Sequence, residues 1–214
     1  MLWKLSGGAR GMLLVAAIAA IGVLVPRRFG FLFLDPAILL LYSAIAVVFA
    51  SNFVVRGVVG QDDEPLIRRV VLNGALFGWV CWLVILGAAL AALSARAGRL
   101  VMPSVFLTLG LIVLTGSVAW LAACFAALIA ISMDSVRTAQ GMTRMALFFV
   151  LLIFIVLPRL LPAAWQAGLG GLLTSGNLGR NLLLLSPLPA YAGYWLMSRV
   201  HRVLDDRSTP LSIT

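Results

Sequence analysis

The chain has 214 residues, 63% of them hydrophobic and only 11% charged, with a mean hydropathy of +1.11 and a formal net charge of +9. A soluble domain carries about a quarter charged residues, so this composition excludes an ordinary soluble globular fold. The basic residues stand singly or in pairs at the ends of apolar runs, a placement suited to anionic lipid headgroups and topology control rather than to nucleic acid.

The apolar runs are continuous and do not alternate with period two, so the class is an all-α integral membrane protein rather than a barrel. The chain reads as a single transmembrane domain over residues 1–214. It has about six transmembrane helices, near 11–25, 36–55, 70–93, 101–132, 145–161 and 181–198, with a re-entrant or interfacial segment before the last. The first run, GMLLVAAIAAIGVLV, follows Lys4 and Arg10 and resembles a signal peptide. No small-x-small cleavage site follows it, and it ends in VPRRF, so it is read as a retained span.

Asp35-Pro36 has the chemistry of a helix start, with Asp as a cap and Pro in the first turn. The second span follows; its Tyr42, Ser43, Ser51 and Asn52 are expected to hydrogen-bond between helices. The loop from Arg56 to Arg69, RGVVGQDDEPLIRR, holds three of the seven acids in the chain. Gly57 and Gly60 loosen it. Asp62, Asp63, Glu64 and Pro65 suit the start of a short helix. Gln61, Asp62, Asp63, Glu64, Leu66, Ile67, Arg68 and Arg69 together form the candidate partner-docking loop; a solvated connector is the plainer reading.

In the third span Gly74 and Gly78 stand at GxxxG spacing, which permits close helix approach. Trp79 and Trp82 lie mid-span and read as packing residues. The run 101–132 is too long for one straight crossing, so it either tilts and projects or bends at Gly110 and Gly116. Residues 133–144 form a second polar loop. Residues 162–180, broken by Gly and Pro, suit an interfacial or re-entrant segment. Ser186-Pro187 and Pro189 predict a kinked or non-helical first half in the last span. Tyr191, Tyr194 and Trp195 are placed near its far end as an aromatic belt.

Six spans put Lys4, Arg10, Arg56, Arg68, Arg69, Arg137, Arg144, Arg199, Arg202 and Arg207 on one side. Arg27, Arg28, Arg96, Arg99, Arg159 and Arg180 fall on the other. The excess favours both termini in the cytoplasm; the expected location is a bacterial inner (plasma) membrane. The only histidine, His201, lies outside the last span. No acid lies mid-span, and no phosphate-binding glycine loop occurs. The sequence therefore offers no catalytic, cofactor-binding or metal site, no internal machinery for ion coupling, and no enzyme reading. Cys81 and Cys124 read as small packing residues.

Three stretches are similar to a known family. QDDEPLIRR (Gln61–Arg69) stands where the permease subunits of type-2 ABC exporters carry a coupling helix. SVRTAQGMTRMALFFVLLIFIVLP, from Ser135, resembles that family's small-residue loop leading into an apolar span. LLLLSPLPAY (Leu182–Tyr191) resembles its final span. Pro65-Leu66-Ile67 departs from the family's usual Gly-Thr-Leu stretch. The resemblance implies a membrane-spanning permease of an ATP-driven exporter. It would work with a separate ATPase subunit and a second permease copy in the bilayer, without nucleic acid. The alternative is a non-catalytic structural or scaffold subunit of a larger membrane complex.

Overall fold

A computed structural model describes residues 16–24, 30–160, 162–163, 167–168, 171 and 177–208. Among these residues there is no strand. Residues 16–24 are helical, Gly30–Leu34 form a 3-10 turn, and six α-helices with described bounds follow among the described residues. They are α1 (Pro36–Val58), α2 (Glu64–Ala97), α3 (Val105–Ile131), α4 (Val136–Leu160), α5 (Leu178–Leu185) and α6 (Pro187–Ser208). Three segments among the described residues are long and apolar enough to cross a bilayer: Ile38–Val58, Glu64–Ala97 and Val105–Ile131. The chain is therefore an all-α membrane protein.

Local chemistry sets the helix ends. Asp35 accepts the Leu39 amide at 3.0 Å through its carbonyl, with Pro36 in the first turn. α2 stops at Gly98, whose φ of 64° is the left-handed geometry that glycine adopts without cost. Ser104 caps α3 by accepting the Leu107 amide at 3.3 Å. Ser186 donates its amide to the Leu182 carbonyl and completes α5; Pro187 has no amide hydrogen to continue the ladder, and α6 starts there. The expected kink in the last span is thus a break between two helices.

Several boundaries differ from the sequence reading. α2 begins at Glu64 rather than near residue 70, and α4 begins at Val136, so most of the expected loop 133–144 is helix. The run 101–132 is one uninterrupted helix from Val105 to Ile131. Helical hydrogen bonding continues through the charged residues because nothing in 64–69 or 136–144 breaks it; Pro65 sits in a first turn, where its missing amide hydrogen costs nothing. The first run lies partly, and segment 162–180 largely, outside the described residues. The aromatic trio Tyr191, Tyr194 and Trp195 is exposed in the first half of α6, which continues past the expected end of the last span to Ser208.

α3 is the hub, packing against α1, α2, α5 and α6. Its buried face is a run of small residues: Ala119, Ala122, Ala123, Cys124, Ala126, Ala127 and Ala130. Lipid offers no hydrophobic force between helices, so association depends on backbones approaching closely enough for dense van der Waals contact. The glycines serve that purpose. A β-carbon at Gly74 would strike Val54, and one at Gly78 would strike the Ala46 carbonyl and Ala50, so the GxxxG pair joins α2 to α1 within this chain. Gly110 and Gly179 bring α3 and α5 together in the same way.

Ser43, Ser51 and Asn52 of α1 bond within their own helix rather than between helices. Ser43 donates to the Leu40 carbonyl; Ser51 and Asn52 donate to the Val48 carbonyl at 3.2 and 2.9 Å. Each bonds to its own helix one turn back, where an acceptor is always within reach. Cys81 and Cys124 are buried free thiols in separate apolar clusters. Ile18 shares a cluster with Cys81 and Ile85, and Gly22 lies against Ile85 and Ala88. That order of contacts runs residues 16–24 in the same direction as α2.

Candidate functional site

The turn between α1 and α2 is short. Gly60, with φ of 76°, reverses the chain, and the Gln61 amide donates to the Val58 carbonyl at 3.0 Å. Asp63 occupies the cap position of α2 without a side-chain capping bond; Glu64 and Pro65 fill the first turn. Asp62, Asp63, Leu66, Arg68 and Arg69 are exposed, and Gln61 and Glu64 are half-buried. Ile67 is fully buried. No separate short helix forms: residues 64–69 are the first turns of a 34-residue helix.

Ile67 is therefore not a docking residue on the surface of the loop. It is the first rung of the stripe that α2 buries, continuing through Val71, Gly74, Ala75 and Gly78. Those steps of four and three are the period of one helix face. The residue belongs to the main apolar core with Val58, Ala139, Val200 and Leu204.

Glu64 makes a contact that sequence reading missed. Its Oε1 lies 2.8 Å from Nδ1 of His201 in α6. The pair places the C-terminal turns of α6 beside the 59–63 turn. Since α2 and α3 are antiparallel, the α3–α4 connection lies at that end too; this is the loop end of the bundle. There Ser135 accepts the Thr138 amide at 3.1 Å and starts α4. Ala139 and Thr143 are buried behind it, with the side-chain nitrogen of Gln140 and the hydroxyl of Thr143 lacking partners among the described residues.

The loop end thus presents Asp62, Asp63 and Leu66 outward, flanked by Arg68 and Arg69. Its backbone is fixed by Ile67 in the core and by the bridge to α6. Among the described residues no cluster of His, Cys, Asp and Glu could hold a metal ion. The bridge itself is partly exposed, and such pairs are worth ~0.2–1 kcal/mol. A double-mutant cycle with Glu64→Gln and His201→Gln is expected to return a coupling within that range, read as thermal stability in detergent. A coupling near zero would mean that burial of Val200 and Leu204 alone seats α6.

No family model, curated protein or solved structure matches this chain.

Proposed function

We propose that the chain is the permease subunit of a type-2 ABC exporter. It would form six spans with both termini cytoplasmic and work with a separate ATPase and a second permease copy. The observation that carries this reading is the exposed Asp62-Asp63-Leu66 surface on a turn that is continuous with α2. A partner seated there would push on a rod that enters the bilayer without a hinge, so a nucleotide-driven movement outside the membrane would tilt α2 directly. Val105–Ile131 carries no charge and Ile38–Val58 carries only Arg56, in the last turn of α1, which fits a pore powered from outside its own sequence. α4 supports the paired arrangement. Beyond its first turns Met145, Phe148, Phe149, Val150, Leu152, Val156 and Leu160 are exposed, leaving an apolar surface for the second copy.

The test is co-purification of the ATPase and its stimulation by the permease. The informative changes are Asp62→Lys with Asp63→Lys, which reverse the two exposed acids of the turn, and Leu66→Ala. The charge reversal is expected to uncouple ATP hydrolysis. Leu66→Ala is expected to weaken assembly roughly tenfold or more, as truncation of an apolar interface anchor does. Full coupling in both variants would make the turn a plain connector and favour the scaffold reading.

A further inference from the structure

The bundle has an apolar groove of about 260 Å³ between α2 and α3. Leu72, Leu76 and Trp79 form one wall; Gly116 and Trp120 form the other. Gly116 leaves the space that opens the groove, since a β-carbon there would sit 3.4 Å from the Trp79 nitrogen. Of the three polar side-chain groups in the lining, those of Trp79 and Ser117 are satisfied by backbone carbonyls, and the indole nitrogen of Trp120 lies beside Gly193 of α6, where a β-carbon would stand 2.7 Å from it. Trp79 donates to the Ile112 carbonyl at 3.0 Å, and Ser117 donates to the Val113 carbonyl at 3.0 Å. The lining is almost entirely apolar, so the groove suits a hydrocarbon chain.

Its depth and its mouth identify which one. Arg68, Leu72, Leu76 and Trp79 stand at steps of four, four and three, one stripe along α2. Arg69 lies three residues before Leu72 and faces the same side. Both arginines are exposed. Between Arg69 and Arg96 the helix has no charged residue, a rise of about 40 Å that matches a bilayer with its headgroup regions. With Arg68 at the headgroups, Leu72 lies about 6 Å and Trp79 about 16 Å deeper. One leaflet of hydrocarbon is about 15 Å thick, so the groove runs from the headgroups to the midplane. Glu64, on the same stripe, is held by His201 and so is turned to that partner.

We propose that this groove binds one acyl chain of an anionic phospholipid from the loop-end leaflet, with its phosphate at Arg68 and Arg69. Zwitterionic lipid fills the same groove but gains less at the arginines, so the site is selective for headgroup charge. A basic side chain near an anionic surface shifts binding by about fivefold.

The experiment uses the full chain in phosphatidylcholine vesicles containing a minor fraction of phosphatidylglycerol or phosphatidylcholine brominated on its acyl chains. Bromine quenches nearby indoles, and subtraction of the Trp79→Phe and Trp120→Phe variants isolates the groove signal. Brominated phosphatidylglycerol is expected to quench that signal at a several-fold lower mole fraction than brominated phosphatidylcholine. Arg68→Gln with Arg69→Gln is expected to bring the two curves together. Native mass spectrometry of the same proteins, which does not depend on the Trp variants, is expected to show retained phosphatidylglycerol that the double Gln variant loses. Equal quenching by both lipids, or selectivity that survives the double Gln change, overturns the proposal. Groove indoles shielded from both lipids would also overturn it, placing a second protein chain there instead.

Discussion

Replacing Gly78 with leucine is expected to destroy the folded bundle. The α-carbon of Gly78 faces α1 so closely that even a β-carbon would meet the Ala46 carbonyl, and would stand 2.8 Å from both the β-carbon and the amide nitrogen of Ala50. These are backbone and alanine atoms, with no flexible side chain to swing aside. The helices must separate, and every contact along the α1–α2 seam weakens with them. Overpacking a dense core costs ~1–3 kcal/mol and occasionally more; a clash against backbone belongs at the upper end. In detergent the variant should lose its monodisperse elution peak or melt far below the parent. Gly87 supplies the control. It lies in the same helix, where a β-carbon would meet nothing within 4 Å. Gly87→Ala should therefore be neutral or stabilising by up to ~1 kcal/mol through helix propensity. Equal melting of Gly78→Leu and the parent would show that α1 and α2 do not pack as described.

Trp82 is the largest fully buried side chain, 1% exposed in the main core. Its indole nitrogen has no partner among the described residues, so its contribution is volume rather than hydrogen bonding. Trp82→Ala removes the whole ring from a close-packed site and is expected to cost ~3–5 kcal/mol. Trp82→Phe keeps much of the apolar bulk and removes an unmade hydrogen bond; a cost of under about 1.5 kcal/mol is expected. The ratio of the two effects, read from thermal midpoints, separates packing from polarity. If Phe proved as damaging as Ala, the indole nitrogen would have to hold a partner, such as a buried water.

The stretch Gln61–Arg69 illustrates how a charge pattern can mislead. Arg68 and Arg69 look like the headgroup end of a span, which made Leu66 and Ile67 look like loop residues. The period says otherwise, since Ile67, Val71 and Gly74 already follow helical spacing. That signal spans the arginines but is hidden by the change in composition. The helix crosses that change because backbone hydrogen bonding continues wherever no residue interrupts it, and exposed arginines cost little.

The class of the molecule, the approximate positions of the three long apolar helices among the described residues, a disruption near Ser186-Pro187 and the existence of close glycine contacts all follow from the sequence. They depend on residues near each other in the chain: run length against bilayer thickness, a missing amide hydrogen, an absent β-carbon. Which helix receives Gly78, that Glu64 meets His201, that Ile67 turns inward while Leu66 turns out, and that a groove lies between Trp79 and Gly116 were decided only by tertiary packing. Those features depend on the register between helices far apart in sequence. That register is set by summed side-chain volumes across each seam, and no local pattern of hydropathy or charge encodes it.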